Sequence, residues 1–164
     1  MVKNIIDIMV SDDKKTAYCD WEHSTGGIAY VKWRINHKMI NTYRFHYEEQ
    51  GDGFWIGLQQ EKSRLQWIYR TATGQWLTPG GKLENYTRTV VRAGDVVKLK
   101  FYQGRVWFSV NVGKPVLCFD DHELVWQSVR PFVYLIGETG KVKMLQGSVY
   151  NDQSAMIIQP EEFD

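Results

Sequence analysis

Between Gly94 and Phe119 the chain reads GDVVKLKFYQGRVWFSVNVGKPVLCF, and this run leaves little freedom in fold class. Val97, Leu99 and Phe101 alternate with Lys98 and Lys100, the period-two pattern of a strand with one buried and one wet face. Gln103-Gly104 suits a two-residue turn, because Gly tolerates positive φ, and Val106, Phe108 and Val110 open a second alternating run. Asn111-Val112-Gly113-Lys114 offers another tight turn, after which Val116 to Phe119 begins a further strand. Antiparallel strands this closely spaced form a meander, and the meander predicts sheet elsewhere.

The remaining stretches agree. Strands are expected over 4–10, at Thr16 to Trp21, at Ile28 to Ile35 with Val31, Trp33 and Ile35 inward, at Gly53 to Gln59 and at Leu65 to Arg70. Others are expected at Phe132 to Ile136, at Val142 to Leu145 and from Val149 towards Ile158, ahead of a frayed acidic tail. From Asn36 to Asp52 the pattern loosens. Tyr43, Phe45 and Tyr47 alternate with Arg44 and His46, but Glu48-Glu49-Gln50-Gly51-Asp52 breaks the run, which reads as a strand edge or an ordered loop. No stretch repeats apolar residues three and four apart over a helical length. Short strands with Gly turns between them predict an all-β sandwich of antiparallel sheets.

At 164 residues the chain has one domain's worth of material, enough to bury a core without staples. Twenty basic against nineteen acidic side chains leave a formal net charge of +1, which argues against a surface built to neutralise many phosphates. Nucleic acid is a poor match. Cys19 and Cys118 have neither metal-type spacing nor framework density, so each reads as a small buried thiol. The opening MVKNIIDIMVSDD is too short and too acidic for a signal peptide, and no apolar run approaches a membrane span. The expected location is cytoplasmic or nuclear. Asn85-Tyr86-Thr87 spells a glycosylation acceptor, which without a secretory signal reads as coincidence.

Local signatures of catalysis are missing: no Gly-x-Ser-x-Gly elbow, no phosphate loop, no His-Glu-x-x-His and no Gly-x-Gly-x-x-Gly. No cofactor is implied. His23, His37, His46 and His122 are scattered, the reading being solvated or hydrogen-bonded imidazoles. Glycoside hydrolysis would need two carboxyl groups facing one cleft, roughly 5 to 10 Å apart. The acids here come as adjacent pairs, Asp12-Asp13, Glu48-Glu49, Asp120-Asp121 and Glu161-Glu162, whose side chains would diverge. A calcium site on Asp120, Asp121 and Glu123 has suitable oxygens but no recognised loop spacing. The expectation is therefore no enzyme, no metal and a binding role.

The Gly94–Phe119 meander also resembles the most recognisable segment of SPRY domains, with their Gly-Asp-Val opening, Gly turn, Phe-Ser-x-Asn strand and Gly-x-Pro return. Three further segments resemble the family in order. YVKWRI from Tyr30 is similar to its Tyr-Trp-Glu-Val strand, GFWIGL from Gly53 to its Val-Gly-Val, and RPFVYLIGETGKVKML from Arg130 to its Tyr-Pro-x-Val and closing strand. The resemblance spans Trp21 to Gly147. It implies two bent antiparallel sheets packed face to face, a concanavalin-like jelly roll, as a single domain over 1–164. The core would run from about 21 to 147, with an N-terminal strand at 4–10 and a C-terminal extension over 148–164. It also implies a non-catalytic protein-interaction module that holds a peptide or partner surface with loops at one end of the sandwich.

The best-known peptide specificity of that family does not carry over. Ile136, Gly137 and Glu138 stand where peptide-binding members have Val-Trp-Gly, Gln59 to Leu65 is too short for their Tyr-bearing insertion, and Lys100 stands where Asp is common. The loops left to replace it are Asn36 to Gly51, Thr73 to Arg88 and Asp120 to Arg130. Candidate contact residues are Arg44, Trp76, Tyr86, Arg88, Trp126 and Arg130, since exposed Trp, Tyr and Arg carry most interface energy. Their mixture suits a protein or peptide partner presenting an acidic or polar segment. Two alternatives stay open: a carbohydrate-binding sandwich using Trp76, Tyr86 and Trp126, and a structural subunit held by a sheet edge.

Overall fold

The computed structural model describes residues 9–19, 26–32, 34–49, 54–79, 90–125, 128–136, 140–145 and 149–151. The central hairpin forms as its alternation requires. Val96–Tyr102 (β8) and Arg105–Val110 (β9) pair with Tyr102 opposite Arg105, so Gln103 and Gly104 alone make the turn, at φ 48° and 80°. Gly104 is needed twice over, because a Cβ there would also stand 2.6 Å from the Asp121 carbonyl oxygen. Val97, Leu99, Phe101, Val106 and Phe108 point into the core, and Val116–Asp120 (β10) returns along β9 with a register shift between Leu117 and Phe119. Asn111, at φ 54°, holds the second turn by accepting from the Val96 amide and donating to Asp95, at 2.9 Å each.

Eight strands precede or follow the meander near their expected places among the described residues: Met9–Val10 (β1), Thr16–Tyr18 (β2), Gly26–Val31 (β3), Phe54–Gln60 (β5), Gln66–Arg70 (β6), Val129–Ile136 (β11), Lys141–Met144 (β12) and Val149–Asn151 (β13). Gln75–Leu77 (β7) is a further strand, inside the stretch expected as the Thr73 to Arg88 loop, where it pairs with β6. Asn41–Glu49 (β4) is the second correction. The stretch read as a strand edge or loop is a nine-residue strand, hydrogen-bonded to β12 on one side and β8 on the other. Tyr43, Phe45 and Tyr47 are its buried face, so the alternation was the true signal and the acidic ending only closes the strand. A single 3-10 turn, His122–Val125, stands among the described residues apart from the strands. Trp33 and residues 1–8 and 152–164, on which earlier expectations fall, lie outside the described residues.

Two antiparallel sheets result, one ordered β1-β2-β12-β4-β8-β9-β10 and the other β13-β3-β11-β5-β6-β7. Their inner faces meet through aromatic pairs. Tyr69 of β6 stacks on Phe108 of β9 at 4.4 Å between ring centroids, and Tyr47 of β4 meets Phe54 of β5 edge-on at 4.6 Å. The second sheet carries a smaller apolar cluster on its outer side, where Trp55 stacks on Tyr134 at 5.4 Å with the Arg70 guanidinium 4.9 Å from its ring. Phe132 belongs to that cluster and lies over Gly57, where a Cβ would meet its ring at 3.0 Å and the Trp67 carbonyl oxygen at 2.2 Å. Among the described residues no helix is long and apolar enough to cross a membrane.

Gly57→Ala is expected to lower stability by about 1–3 kcal/mol, the usual cost of overpacking, seen as a lower urea midpoint at unchanged slope. A pH effect follows from two buried groups. Burial pushes the Cys118 thiol well above its ordinary value of 9.0, partly opposed by the Phe108 amide, and pushes the Tyr43 hydroxyl above 10.0, partly opposed by Arg130. Both groups stay protonated in the fold while the unfolded chain loses those protons. Their contribution is thus complete below about pH 9 and is lost as pH rises further. Thermal melts should shift downward from pH 9 to 11, and less steeply in Cys118→Ala.

Candidate functional site

At one end of the sandwich the segments between strands are knitted together by backbone and side-chain hydrogen bonds. The Ile35 amide donates to the Val129 carbonyl at 2.8 Å, Glu61 to Ser128 at 3.0 Å and Asp121 to Gly104 at 2.9 Å. Gln60 is buried and donates its side-chain amide to the Glu123 carbonyl, while its own Oε1 accepts from Ser63 at 2.6 Å. These bonds satisfy polar groups that a loop would otherwise leave dry and unpaired. The 120–125 segment, the β5–β6 turn and the β8–β9 turn are therefore held as one rim.

Arg130, expected beside a loop as a contact residue, is the anchor of this rim rather than part of its surface. It is 2% exposed, Nε pairs with Glu61 at 3.2 Å, and Nη1 donates to the carbonyls of Val31 at 3.3 Å and Lys32 at 2.6 Å. Arg34 reaches the same carboxylate at 3.9 Å and donates to the Ser128 hydroxyl at 2.9 Å. Trp76 is likewise buried, at 7% exposed. It sits in β7 and tilts against Tyr69 at 6.5 Å and Phe119 at 6.3 Å, closing the sandwich between the edge strands β7 and β10. Arg44 lies in mid-strand on the outer face of the seven-stranded sheet, away from the loops. Tyr86, Arg88 and Trp126 lie outside the described residues.

Between the rim and the β7/β10 edge opens a cavity of about 440 Å³, lined by Leu65, Trp67, Trp76, Pro79, Phe119 and the acids Asp120, Asp121 and Glu123, with Thr78 and Cys118 completing it. The acids differ in what they are free to do. Asp121 is committed: it accepts from the Trp67 indole at 3.0 Å and caps the 3-10 turn through the Glu123 amide at 3.0 Å. Asp120 faces Arg105 at 3.5 Å, both well exposed. Glu123 is exposed, and its carboxylate has neither an ion pair nor a hydrogen bond among the described residues. The buried Trp76 Nε1 has no hydrogen-bond partner, leaving an unmet donor in one wall.

Among the described residues no three of His, Cys, Asp or Glu gather to hold a metal. His37 packs edge-on against Phe101 at 5.8 Å, and His46 lies on the outer sheet face 3.7 Å from Glu48. Composition and motifs pointed to the loops but missed Leu65, Thr78 and Pro79, whose place beside Asp120 depends on pairing distant in sequence. Thr78 and Pro79 fall within the Thr73 to Arg88 loop named from the sequence, but nothing local singled them out.

Two antiparallel sheets face to face, with their connections drawn together at one end, form a sandwich of the SPRY type. The chain is similar to the SPRY domain of human HERC1 over 84% of its own length and 91% of that chain, at 17% identity and TM-score 0.69. It is also similar to the TRIM65 PSpry domain, over 88% of each chain at 9% identity and TM-score 0.63. A Bacillus subtilis protein of unknown function with a galectin-like fold matches over 90% and 87% of the two chains, at 14% identity and TM-score 0.58. These identities carry the fold alone. No family model matches the sequence, and no curated protein sequence matches it.

Removing the anchor should be costly. Arg130→Ala strands the carbonyls of Val31 and Lys32 and leaves Glu61 only the longer contact to Arg34, and a loss of about 3 kcal/mol is expected in urea unfolding. Arg130→Lys should recover only part of it, since a point charge cannot reach carboxylate and carbonyls together.

Proposed function

We propose that this chain is a non-catalytic protein-interaction module that grips a segment of a partner protein at the loop end of its sandwich. The observation that carries the reading is the cavity of about 440 Å³ set between an aromatic wall and an acidic rim. It is large enough to seat one long side chain, and its surroundings are held rigid by the Arg130–Glu61 and Gln60–Glu123 bonds. Preorganisation of this kind limits the entropy lost on binding. The SPRY fold supports an interaction role, because the connections of such a sandwich are free to vary on a fixed frame.

The charge of the rim selects the anchor. A partner Arg or Lys would lie against the edge of Trp76 with its cation beside Glu123 and Asp120, while the fully buried Trp67 backs the wall. An acidic segment, expected from Arg44 and Arg130, does not suit this end: Arg130 is buried against Glu61, and Arg44 stands on the sheet face. The site residues proposed for the loop end are therefore Leu65, Trp67, Trp76, Pro79, Asp120 and Glu123. The aromatics serve as walls and the carboxylates as the charge filter.

Panning a random displayed-peptide library against the whole chain tests this. Enriched peptides are expected to share a basic residue, and Glu123→Lys should weaken them by about tenfold or more while leaving the melting temperature unchanged. Enrichment of peptides without a basic residue, or binding indifferent to Glu123→Lys, would overturn the assignment. A failed panning followed by specific retention on a glycan array would replace it with sugar binding.

A further inference from the structure

The outer face of the seven-stranded sheet carries a second surface, opposite in sign to the loop end. Outward residues alternate with the core: Thr42, Arg44, His46 and Glu48 on β4, Lys98, Lys100 and Tyr102 on β8, Arg105 and Trp107 on β9, Lys141 and Lys143 on β12. Register brings the bases together. Arg44 lies directly opposite Lys98, Lys143 opposite His46, and Lys100 opposite Trp107, whose ring centroid is 5.3 Å from the Lys100 ammonium.

The acids near this face are used at its margins. Glu48 and Glu49 reach Lys141 at 3.8 and 4.0 Å, and Asp120 reaches Arg105 at 3.5 Å. Lys143 lies near Asp13, whose carboxyl is held below its ordinary value chiefly by the Ser11 hydroxyl and the Lys15 amide, with Lys143 adding a smaller share. That leaves Arg44, Lys98 and Lys100 in the middle with no ion pair among the described residues. Directly opposed like charges on a sheet face are destabilising, so local stability gives no reason for the Arg44–Lys98 pair.

From this arrangement we infer that the Arg44–Lys98–Lys100 strip, with Trp107 and Tyr102 at its side, binds a short acidic segment of a partner protein. Adjacent strands stand about 4.8 Å apart and alternate residues along one strand about 7 Å, so the strip presents its cations at spacings that successive carboxylates of an extended peptide can meet. The two half-buried rings supply apolar contact for a side chain between those carboxylates. Carboxylates at Glu48, Glu49 and Asp120 bound the strip, which favours a short anionic segment over a continuous phosphate backbone or a membrane surface. The net charge of +1 points the same way. This surface is distinct from the loop-end cavity, and either could stand without the other.

The test uses the whole chain with three probes at low ionic strength: a short labelled peptide of alternating Glu and Tyr, a single-stranded oligonucleotide, and phosphatidylserine vesicles. The peptide is expected to bind best, to weaken as salt rises, and to lose about tenfold or more in affinity with Lys98→Gln/Lys100→Gln. The same double variant should melt no lower than the parent, because it relieves the repulsion with Arg44, and Glu123→Lys should not weaken the peptide. Equal peptide binding by parent and double variant would overturn the inference. So would tighter binding of oligonucleotide or vesicle than of peptide, no measurable peptide binding, or sedimentation showing that this face is buried in a dimer of the chain.

Discussion

The aromatic contacts between the inner faces of the two sheets hold everything else in place. Tyr69 on Phe108 and Tyr47 on Phe54 each join one sheet to the other, and both pairs form only if strands distant in sequence arrive in the right register. A ring pair contributes about 0.5–1.5 kcal/mol beyond the area it buries, and its geometry also fixes how the sheets lie across one another. Trp76 extends the same layer to the edge, against Phe119, and so closes the sandwich where β7 and β10 would otherwise part. The large aromatic content is first of all a packing material here.

Where the strands end, the layer of rings gives way to polar groups that must find partners without a sheet ladder. Arg130 serves that need by gathering Glu61 and two carbonyls, and Gln60 and Asp121 do so for the 120–125 segment. The cavity at this end is what remains between a rim fixed by hydrogen bonds and an edge closed by Trp76. Its acidic character comes from residues that partly serve the fold, Asp121 above all. The basic strip on the sheet face differs, since Arg44, Lys98 and Lys100 enter no ion pair among the described residues.

Alternation was the most dependable guide to the fold. It identified β8 and β9 with their turn, and inside β4 it was stronger evidence than the Glu48-Glu49 ending that suggested a loop. The residues singled out for binding were less readable. Trp76 and Arg130 have the residue types of interface hot spots, yet the same size and hydrogen-bonding capacity suit them to a buried wall and a buried anchor. Residue type cannot separate these uses, because burial depends on what packs above the residue. Arg44, expected in a loop, stands on a sheet face in mid-strand.

The sequence by itself determined an all-β chain, the central meander with its Gln103-Gly104 turn, the inward set Val97, Leu99, Phe101, Val106 and Phe108, and a resemblance that foretold the SPRY-type sandwich. All of these are local, fixed by a period of two and by the φ that a turn residue can adopt. Tertiary structure alone decided that Leu65, Pro79 and Asp120 line one cavity, that Arg130 turns inward to Glu61, and that Arg44 faces Lys98 across a strand boundary. Each of these is a meeting of residues far apart in the chain. Such meetings are set by strand order and register, which the collective packing of the two sheets selects and no single segment encodes.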